Sequence, residues 1–454
     1  MKKKNMFFKI NLFVLTVFAF VLTIAAVSDS SAAEPKVVVV TVDSDYTAGA
    51  HSVIDVDPVG GPRTGTHTID QTISDLTVVT HGKYFYRIER YNSNTISKYD
   101  INSPGAPIWE YDTRHDPEDN PNPHDLVFAT ANKAYLIQFG TSDICIVDPG
   151  AAIEANFHTG GIDISSYEDS DGIPEASQGI IVDGKLFVTI KRLDRNDGWS
   201  LPNTCYIAVF DTVTDTEIDT GYSSGTVLGI PLDPYKAPSN LEYRDGKIYV
   251  QCTGRHGSSY SGRDPEYTGG ILTIDPDTYT VTPVLDDGDD TTHPYGLITG
   301  ISIVSSTKGY FTGYAGWGDN TLYSFNPSTG ADIASVTGLI GKGLFLTPES
   351  VDGNNHLWIS NQTDHQMEII NVTTDTIDES IDTGFNPAYL ALIGNRADID
   401  GDGAVGAGDM SALFSAWKTT PADPAWNAAA DIYPDEKIDA SDYSKLMANW
   451  GEGL

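Results

Sequence analysis

Acidic residues at alternating positions near the C-terminal end of the chain have the types and spacing to bind a metal ion. Residues 397–409 read ADIDGDGAVGAGD, with three closely spaced carboxylates, a glycine that permits a sharp turn, and a closing aspartate. Hard cations such as calcium take six to eight oxygen ligands from a flexible loop of this kind. The predicted ligands, the fourth through its backbone carbonyl, are Asp398, Asp400, Asp402, Ala404 and Asp409.

A second copy of this loop lies 33 residues further along the chain, and it is weaker. Tyr433 stands at the third loop position, where an aspartate is expected, and Glu436 stands in place of the glycine. We therefore expect tighter calcium binding in the first loop than in the second. The predicted ligands of the second loop, with Lys437 acting through its carbonyl, are Asp431, Asp435, Lys437, Asp439 and Asp442.

Each loop runs into a segment with the period of a short helix. The segments read DMSALFSAW and DYSKLMANW, and their apolar residues recur at positions i, i+3, i+4 and i+7. This spacing predicts two helices whose apolar stripes pack on each other. The stripes consist of Met410, Leu413, Phe414 and Trp417 in the first copy, and Tyr443, Leu446, Met447 and Trp450 in the second.

Two EF-hand-type loops, each followed by a helix and lacking an incoming helix, resemble a type I dockerin over residues 397–451. The resemblance implies calcium-dependent folding and docking onto a cohesin module of a scaffold or surface protein, as in polysaccharide-degrading assemblies. In the family, positions 10 and 11 of each loop contact cohesin. Here these are Ala407, Gly408, Ala440 and Ser441, of which only Ser441 has the usual hydroxyl. The alternative is a calcium-stabilised appendage without a cohesin partner.

Short β-type runs separated by turn residues fill the chain before this module. Turns followed by strands recur, as in DGKLFVTI and DGKIYVQ, and a second kind of strand ends in Asp or Asn at intervals of 43 to 64 residues. Such a period with about four strands per unit is typical of a β-propeller, in which stacked blades bury each other's faces. Seven blades are predicted from the seven strand-ending residues Asp57, Asp100, Asp148, Asp211, Asp275, Asn326 and Asn371.

The two ends of the repeat region predict how the ring closes. The first unit lacks a leading strand, and residues 386–394, NPAYLALIG, supply a surplus strand after the last unit. We expect the surplus strand to complete the first unit's sheet and to join the ends of the domain. The blades resemble YVTN and YncE-type surface propellers in their DGK-strand and strand-DP motifs. A long β-sandwich or two β domains are the alternative.

The longest loops are expected on one face of the propeller. Two inserts lie between second and third strands, at residues 191–203 and 253–268, and that side also carries the connections between blades. Functional residues concentrate on loops that a rigid scaffold supports. We interpret this loop face as a site for a carbohydrate or protein ligand, with packing of the aromatic residues under their own loops as the alternative. Its aromatic and cationic residues are Trp199, Tyr260, Tyr267, Trp317, Arg192, Arg195, Arg255, His256 and Arg263.

The central mouth of a propeller is lined by residues that enter the innermost strands. A histidine among carboxylates there could bind a metal or transfer protons, but we interpret His124, which Asp125 follows, as part of a solvated turn. The sequence contains no nucleophile elbow and no zinc-ligand spacing, so it has no catalytic signature. The mouth candidates are His124, Glu175, Ser177, Asn240, Glu349 and Asn386.

The first 33 residues predict export. Lysines at positions 2–4 precede an apolar run over residues 13–27, and Ser-Ala-Ala at 31–33 forms a cleavage site. No later apolar run is long enough to span a bilayer, so we expect a secreted, extracellular protein. Its formal net charge of -36 repels nucleic acid and anionic membranes. The cysteines are expected to be buried thiols, with a Cys205–Cys252 bridge as the alternative.

These patterns predict a mainly β chain with three parts: a signal peptide at residues 1–33, a seven-bladed propeller at 34–394 and a dockerin-like module at 395–454. The predicted function is that of a secreted protein that docks through calcium-loaded loops to a cohesin-bearing partner, in polysaccharide binding or degradation. Two alternatives stay open: a propeller enzyme, either a polysaccharide lyase or a glycoside hydrolase, and a purely structural cell-surface protein.

Overall fold

The chain forms seven antiparallel sheets of four or five strands and two short helices, within the residues that the computed structural model describes. Those residues are 35–58, 60–115, 119–222, 224–257, 262–393, 397, 399, 405–420, 423–425, 427, 430–432 and 437–448. The predicted signal peptide therefore lies outside the described residues. None of the helices in the described part of the chain has the length and hydropathy to cross a bilayer.

Each sheet is one blade of a seven-bladed β-propeller, which confirms the predicted fold class. Blade 1 contains β4 Leu76–His81, β5 Tyr84–Glu89, β6 Thr95–Asp100 and β7 Trp109–Asp112; blade 2 contains β8 Pro123–Thr130, β9 Lys133–Gln138, β10 Asp143–Val147 and β11 His158–Asp163. Blade 3 contains β12 Ala176–Val182, β13 Lys185–Ile190, β14 Tyr206–Asp211, β15 Thr216–Glu217 and a fifth strand, β16 Ile230–Pro231. Blade 4 contains β17 Pro238–Arg244, β18 Lys247–Cys252, β19 Gly270–Ile274 and β20 Val281–Asp286.

The last three blades complete the ring. Blade 5 contains β21 Leu297–Ser305, β22 Lys308–Gly316, β23 Asp319–Asn326 and β24 Ala331–Ser335; blade 6 contains β25 Leu344–Phe345, β26 His356–Asn361, β27 Gln366–Asn371 and β28 Thr376–Asp382. Blade 7 joins the two ends of the domain, with the order β29 Asn386–Ile393, β1 Lys36–Val42, β2 Gly49–Asp55 and β3 Gly65–Thr72. Because Leu390 pairs with Val39 across this sheet, the predicted closure by the surplus strand is confirmed.

The recurring Asp and Asn residues have a shared structural cause. In blades 1 to 6, each ends the third strand and accepts a hydrogen bond from the backbone N–H two residues later, as Asp211 Oδ1 does from Val213 N at 2.9 Å. This side-chain turn is a preferred conformation of Asp and Asn. The DG pairs have a similar cause, since Asp183 and Gly184 both take positive φ angles, 50° and 72°, which a tight hairpin turn requires.

The apolar core is divided among the interfaces between blades. Seven buried clusters each join two neighbouring sheets, and the cluster between blades 6 and 7 contains the fully buried Trp358. The Trp358 indole N–H donates to Asp352 Oδ2 at 2.8 Å, so its polar atom is satisfied. Because no blade buries both faces alone, stability depends on the whole ring.

An ionic clasp joins two pairs of neighbouring blades. Lys133 Nζ in blade 2 lies 2.7 Å from Asp215 Oδ1 in blade 3, and Tyr135 Oη donates to the same oxygen at 2.5 Å. A hydrogen bond to a charged acceptor contributes about 1.5–3 kcal/mol to stability. The same arrangement recurs between blades 5 and 6, formed by Lys308, Tyr310 and Asp375.

Removing the clasp hydroxyl with Tyr135→Phe is expected to lower the free energy of unfolding by about 1–2 kcal/mol, because the half-buried Asp215 loses a hydrogen bond to its charged carboxylate. Urea unfolding of the full chain in saturating calcium measures this. The matched control is Phe187→Tyr, which adds a hydroxyl at the equivalent position of blade 3, where Tyr279 faces it at 6.4 Å instead of a carboxylate. That control should gain no stability, and an unchanged Tyr135→Phe variant would contradict the role of the clasp.

The C-terminal module contains α1 Ala407–Ser415 and α2 Ala440–Ala448 around a separate small core. Leu413 and Leu446 are fully buried there, as the apolar stripes predicted. The rest of the stripe prediction is partly wrong, because Phe414 and Met447 are exposed by 49% and 41%. Two helices of nine residues enclose too little volume to bury a whole stripe from each. Trp450 lies outside the described residues.

Candidate functional site

The two aspartates that close the predicted calcium loops are buried at the starts of the helices. Asp409 Oδ1 accepts from Ile399 N at 2.5 Å, and Asp409 Oδ2 accepts from Gly406 N at 2.6 Å. Asp442 Oδ2 accepts from Asp439 N at 2.8 Å. Each carboxylate therefore organises its own loop and has the favourable position for negative charge at a helix N-terminus.

Half of the predicted calcium ligands fall within the part of the chain that the structure describes. These are Asp409, Asp431, Lys437, Asp439 and Asp442. Asp398, Asp400, Asp402, Ala404 and Asp435 lie outside the described residues. Among described residues alone, no group of three or more acidic, histidine or cysteine side chains has metal-binding geometry. The donor set is carboxylate and carbonyl oxygen throughout, and this chemistry fits calcium.

The predicted cohesin-contacting residues are accessible at the N-terminal ends of the two helices. Ala407, Gly408 and Ala440 are exposed and Ser441 is half-buried. The exposed Phe414 ring of α1 lies 5.9 Å from the Tyr443 ring of α2, so the two helices share an aromatic surface patch. Exposed apolar patches on small domains often mark sites of protein contact.

At the propeller mouth, two of the six candidate residues contact each other, and a third, Glu175, pairs with an arginine. Glu175 is fully buried, accepts from Leu193 N at 2.8 Å and pairs with Arg195 Nε at 2.8 Å. His124 Nδ1 lies 3.3 Å from Ser177 Oγ. Burial raises the pKa of Glu175 to about 8. The structure thus brings a histidine and a hydroxyl together, while the buried carboxyl faces a guanidinium.

The other three mouth candidates bond elsewhere. Asn240 Nδ2 donates to Gln251 Oε1 at 2.6 Å, Asn386 bonds His365, and Glu349 is exposed. The interpretation of His124 as part of a solvated turn is wrong. His124 lies on strand β8, and its ring stacks on Phe139 with a centroid distance of 4.5 Å, because the apolar ring surface is better covered than hydrated.

The long insert of blade 3 is held in place by the acidic connection before it. Arg195 N donates to Asp171 Oδ2 at 2.7 Å, and Asn203 Nδ2 donates to Asp169 Oδ2 at 2.7 Å. A further ion pair joins Arg263 of the blade 4 insert to Asp197. Residues 168–175 therefore anchor the insert.

These inserts surround a cavity of about 340 Å³ on the loop face, which lies at the lower end of the range for ligand pockets. It is bounded by the ends of β13 and β18 and by the start of β17. The cavity-lining residues are Lys191, Leu193, Gly198, Trp199, Ala237, Ser239, Thr253, Gly254, Arg255 and His256. Sequence reasoning selected Trp199, Arg255 and His256 but missed Lys191, Ser239 and Thr253, although the length of the two inserts pointed to this region.

The cavity has a positive electrostatic field. Burial, aided by the nearby Arg90 and opposed by Cys205 and Glu175, lowers the pKa of Lys191 to about 8. Burial holds the pKa of His124 well below its usual range, and Arg90, Lys191 and Arg195 act in the same direction. Burial and Lys191 also lower the pKa of His256. The two histidines are therefore neutral at pH 7, and Lys191 and Arg255 are the basic side chains of the cavity lining.

The remaining loop-face aromatic residues have mixed roles. Tyr267 stacks on His293 with a centroid distance of 3.7 Å, which is packing within the loops. Trp317 is 77% exposed, and its ring centroid lies 5.9 Å from that of Tyr46. Trp199 is 40% exposed beside Arg195, and Tyr260 lies outside the described residues. The three cysteines are buried free thiols, so the alternative of a Cys205–Cys252 bridge is wrong.

The fold and the C-terminal module define a seven-bladed β-propeller protein with an appended calcium-loop domain. Residues 396–449 match the Dockerin type I domain family, which confirms the resemblance of this segment. A dockerin domain implies a cohesin partner and, in general, bound calcium. No curated protein matches the chain.

Among solved structures, the chain is similar in fold to the periplasmic gluconolactonase of Pseudomonas aeruginosa, with a TM-score of 0.53 and 10% identity, covering 79% of this chain and 99% of that one. It is also similar to a putative 6-phosphogluconolactonase of Bacteroides fragilis, with a TM-score of 0.52 and 10% identity, covering 80% and 99%. At this level of identity the likeness shows the shared fold alone.

Proposed function

We propose that the chain is an exported, extracellular protein that attaches to a cohesin-bearing scaffold or surface protein through its calcium-loaded dockerin domain. Attachment places the propeller at a site of polysaccharide binding or degradation. The observation that carries the proposal is the dockerin match over residues 396–449, in which the two closing aspartates, Asp409 and Asp442, are buried at equivalent places.

Calcium would be held by the carboxylates and carbonyls of the two loops, and as a hard cation it would draw those oxygens together. The chain's own contribution is visible in the helix starts. Asp409 bonds both Ile399 N and Gly406 N, so its loop and the start of α1 are already connected. The exposed Ala407 and Gly408, directly before Asp409, are then presented to cohesin on an ordered turn.

A calcium-dependent pull-down tests this proposal. The full chain is offered to a panel of immobilised type I cohesins in 1 mM calcium and in excess EGTA, with a chain that ends at residue 394 as control. We expect capture by at least one cohesin, loss of capture in EGTA, and no capture of the control. Equal capture of the two chains, or capture that survives EGTA, would count against docking through the dockerin domain.

A further inference from the structure

The loop-face cavity has a charge that contrasts with the rest of the protein. The chain has 63 Asp and Glu against 27 Lys and Arg, yet the described residues that line the cavity include Lys191 and Arg255 and no carboxylate. Burying a cation without an anionic partner costs free energy. Two cations in one concave site therefore call for a compensating anionic group.

Arg255 supplies the most direct sign of a missing partner. Its Nη2 pairs with Glu266, but its Nε and Nη1 are buried and have no hydrogen-bond partner among described residues, while the side chain is only 11% exposed. The unused N–H groups of this guanidinium can each donate a charge-assisted hydrogen bond, and an anionic oxygen such as that of a carboxylate is a suitable acceptor. Lys191 Nζ likewise makes no ion pair with a described residue, and it lies 5.7 Å from the centre of the Phe139 ring.

The other walls of the cavity suit a sugar. Trp199 is 40% exposed and presents a flat apolar surface, and its ring lies 6.4 Å from Phe139. Ser239 and Thr253 also line the cavity, with 3.1 Å between their hydroxyl oxygens. Aromatic rings pack on the apolar faces of sugar rings, and hydroxyls exchange hydrogen bonds with sugar hydroxyls. A volume of about 340 Å³ accepts only a small ligand or one end of a chain.

From this combination we infer that the cavity binds the carboxylate-bearing residue of an acidic saccharide, with Arg255 and Lys191 on the carboxylate and Trp199 under the ring. The inference deepens the propeller half of the proposed function, and it does not depend on cohesin docking. Excess EGTA separates the two: it should abolish docking and leave saccharide binding unchanged.

Titration calorimetry on the full chain tests the inference. The probes are the β-1,4-linked glucuronate trimer, the matching neutral glucose trimer, and citrate as a carboxylate without a sugar ring. We expect the glucuronate trimer to bind at least tenfold more tightly than either of the others. Equal binding of the neutral trimer would overturn the role of the cations, and equal binding of citrate would overturn the role of the sugar.

Two substitutions locate the site. Lys191→Met and Arg255→Gln are each expected to weaken binding of the glucuronate trimer by tenfold or more. The matched control is Lys185→Met, at the opposite end of the same strand, where the lysine pairs with the exposed Asp277 and should not affect binding. Circular dichroism confirms that each variant is folded. If both cavity variants bind as the native chain does, the inference is wrong.

The pH dependence gives an independent measurement. Only protonated Lys191 attracts a carboxylate, and its pKa is lowered to about 8 by burial, so affinity should fall as the pH rises from 7 to 9. The Lys191→Met variant should lose this dependence, and a native chain whose affinity does not change over this range would overturn the role of Lys191. The charged and titratable groups that surround Lys191 are Arg90, His124, Glu175, Arg195, Cys205, Cys252 and His256.

Discussion

Replacing Asp409 with asparagine is expected to reduce calcium-dependent cohesin capture by about a hundredfold or more. The buried carboxylate closes the first loop, accepts two backbone N–H groups, and is a predicted calcium ligand. An amide supplies only one acceptor oxygen and no charge, and each lost hydrogen bond to a charged group removes about 1.5–3 kcal/mol. Because tenfold in affinity corresponds to about 1.4 kcal/mol, the loss of one such bond together with the loss of the charge on a predicted calcium ligand gives the expected effect. Surface plasmon resonance against a captured cohesin measures it.

The second loop provides a graded comparison. Asp442→Asn should weaken capture less than Asp409→Asn, because the second loop has Tyr433 and Glu436 at positions where the first has an aspartate and a glycine. Asp423→Ala is the matched control within the same module, since Asp423 accepts from Thr420 N at 2.9 Å outside both loops. We expect native capture from this control. The opposite order of the first two variants would show that the second loop dominates calcium binding.

Local turn chemistry explains why the propeller could be predicted from sequence. An Asp or Asn that bonds the N–H two residues ahead, as Asp211 does, needs no distant partner, so it leaves a mark in each of blades 1 to 6. The DG hairpins mark the sequence for the same reason. These six marks, Asp57 after the corresponding strand of blade 7, and one surplus strand were enough to predict the number of blades and the closure at β29 and β1.

The cavity could not be predicted in the same way, because it depends on contacts between distant segments. Lys191 follows the end of β13, and nothing in its neighbours shows that Arg255, 64 residues later, lines the same cavity. His124 illustrates the difficulty, since the sequence around it reads as a polar turn while the structure stacks its ring on Phe139. The geometry of the seven-bladed propeller decides which distant segments meet, and the local sequence carries no sign of these contacts.

Ending the chain at residue 385 is expected to abolish folding of the propeller, whereas ending it at residue 394 should preserve the fold. The shorter chain loses β29, in which Leu390 and Ile393 are each 2% exposed. It also exposes the edge of β1, in which residues 37–40 are fully buried. Unpaired apolar edges of this kind promote aggregation.

The magnitude of this effect follows from what β29 contacts. Six residue pairs link it to β1, each hydrogen bond is worth about 1 kcal/mol, and each buried aliphatic side chain adds about 1.5–3 kcal/mol. The total, about 10 kcal/mol, is comparable to the whole stability of a domain. Neighbouring blades lose contacts too, since Thr80 donates to Leu392 O at 2.8 Å and Ser360 to Ala388 O at 2.6 Å.

Size-exclusion chromatography and thermal unfolding compare the two chains. The chain that ends at residue 394 lacks only the C-terminal module, so it should elute as a soluble species and unfold in one cooperative transition. The chain that ends at residue 385 should be insoluble or oligomeric. If it instead stays monomeric with an unchanged melting temperature, then six complete blades and an unpaired β1 edge are enough for the propeller to fold. In that case the pairing of β29 with β1 would not be what holds the ring closed.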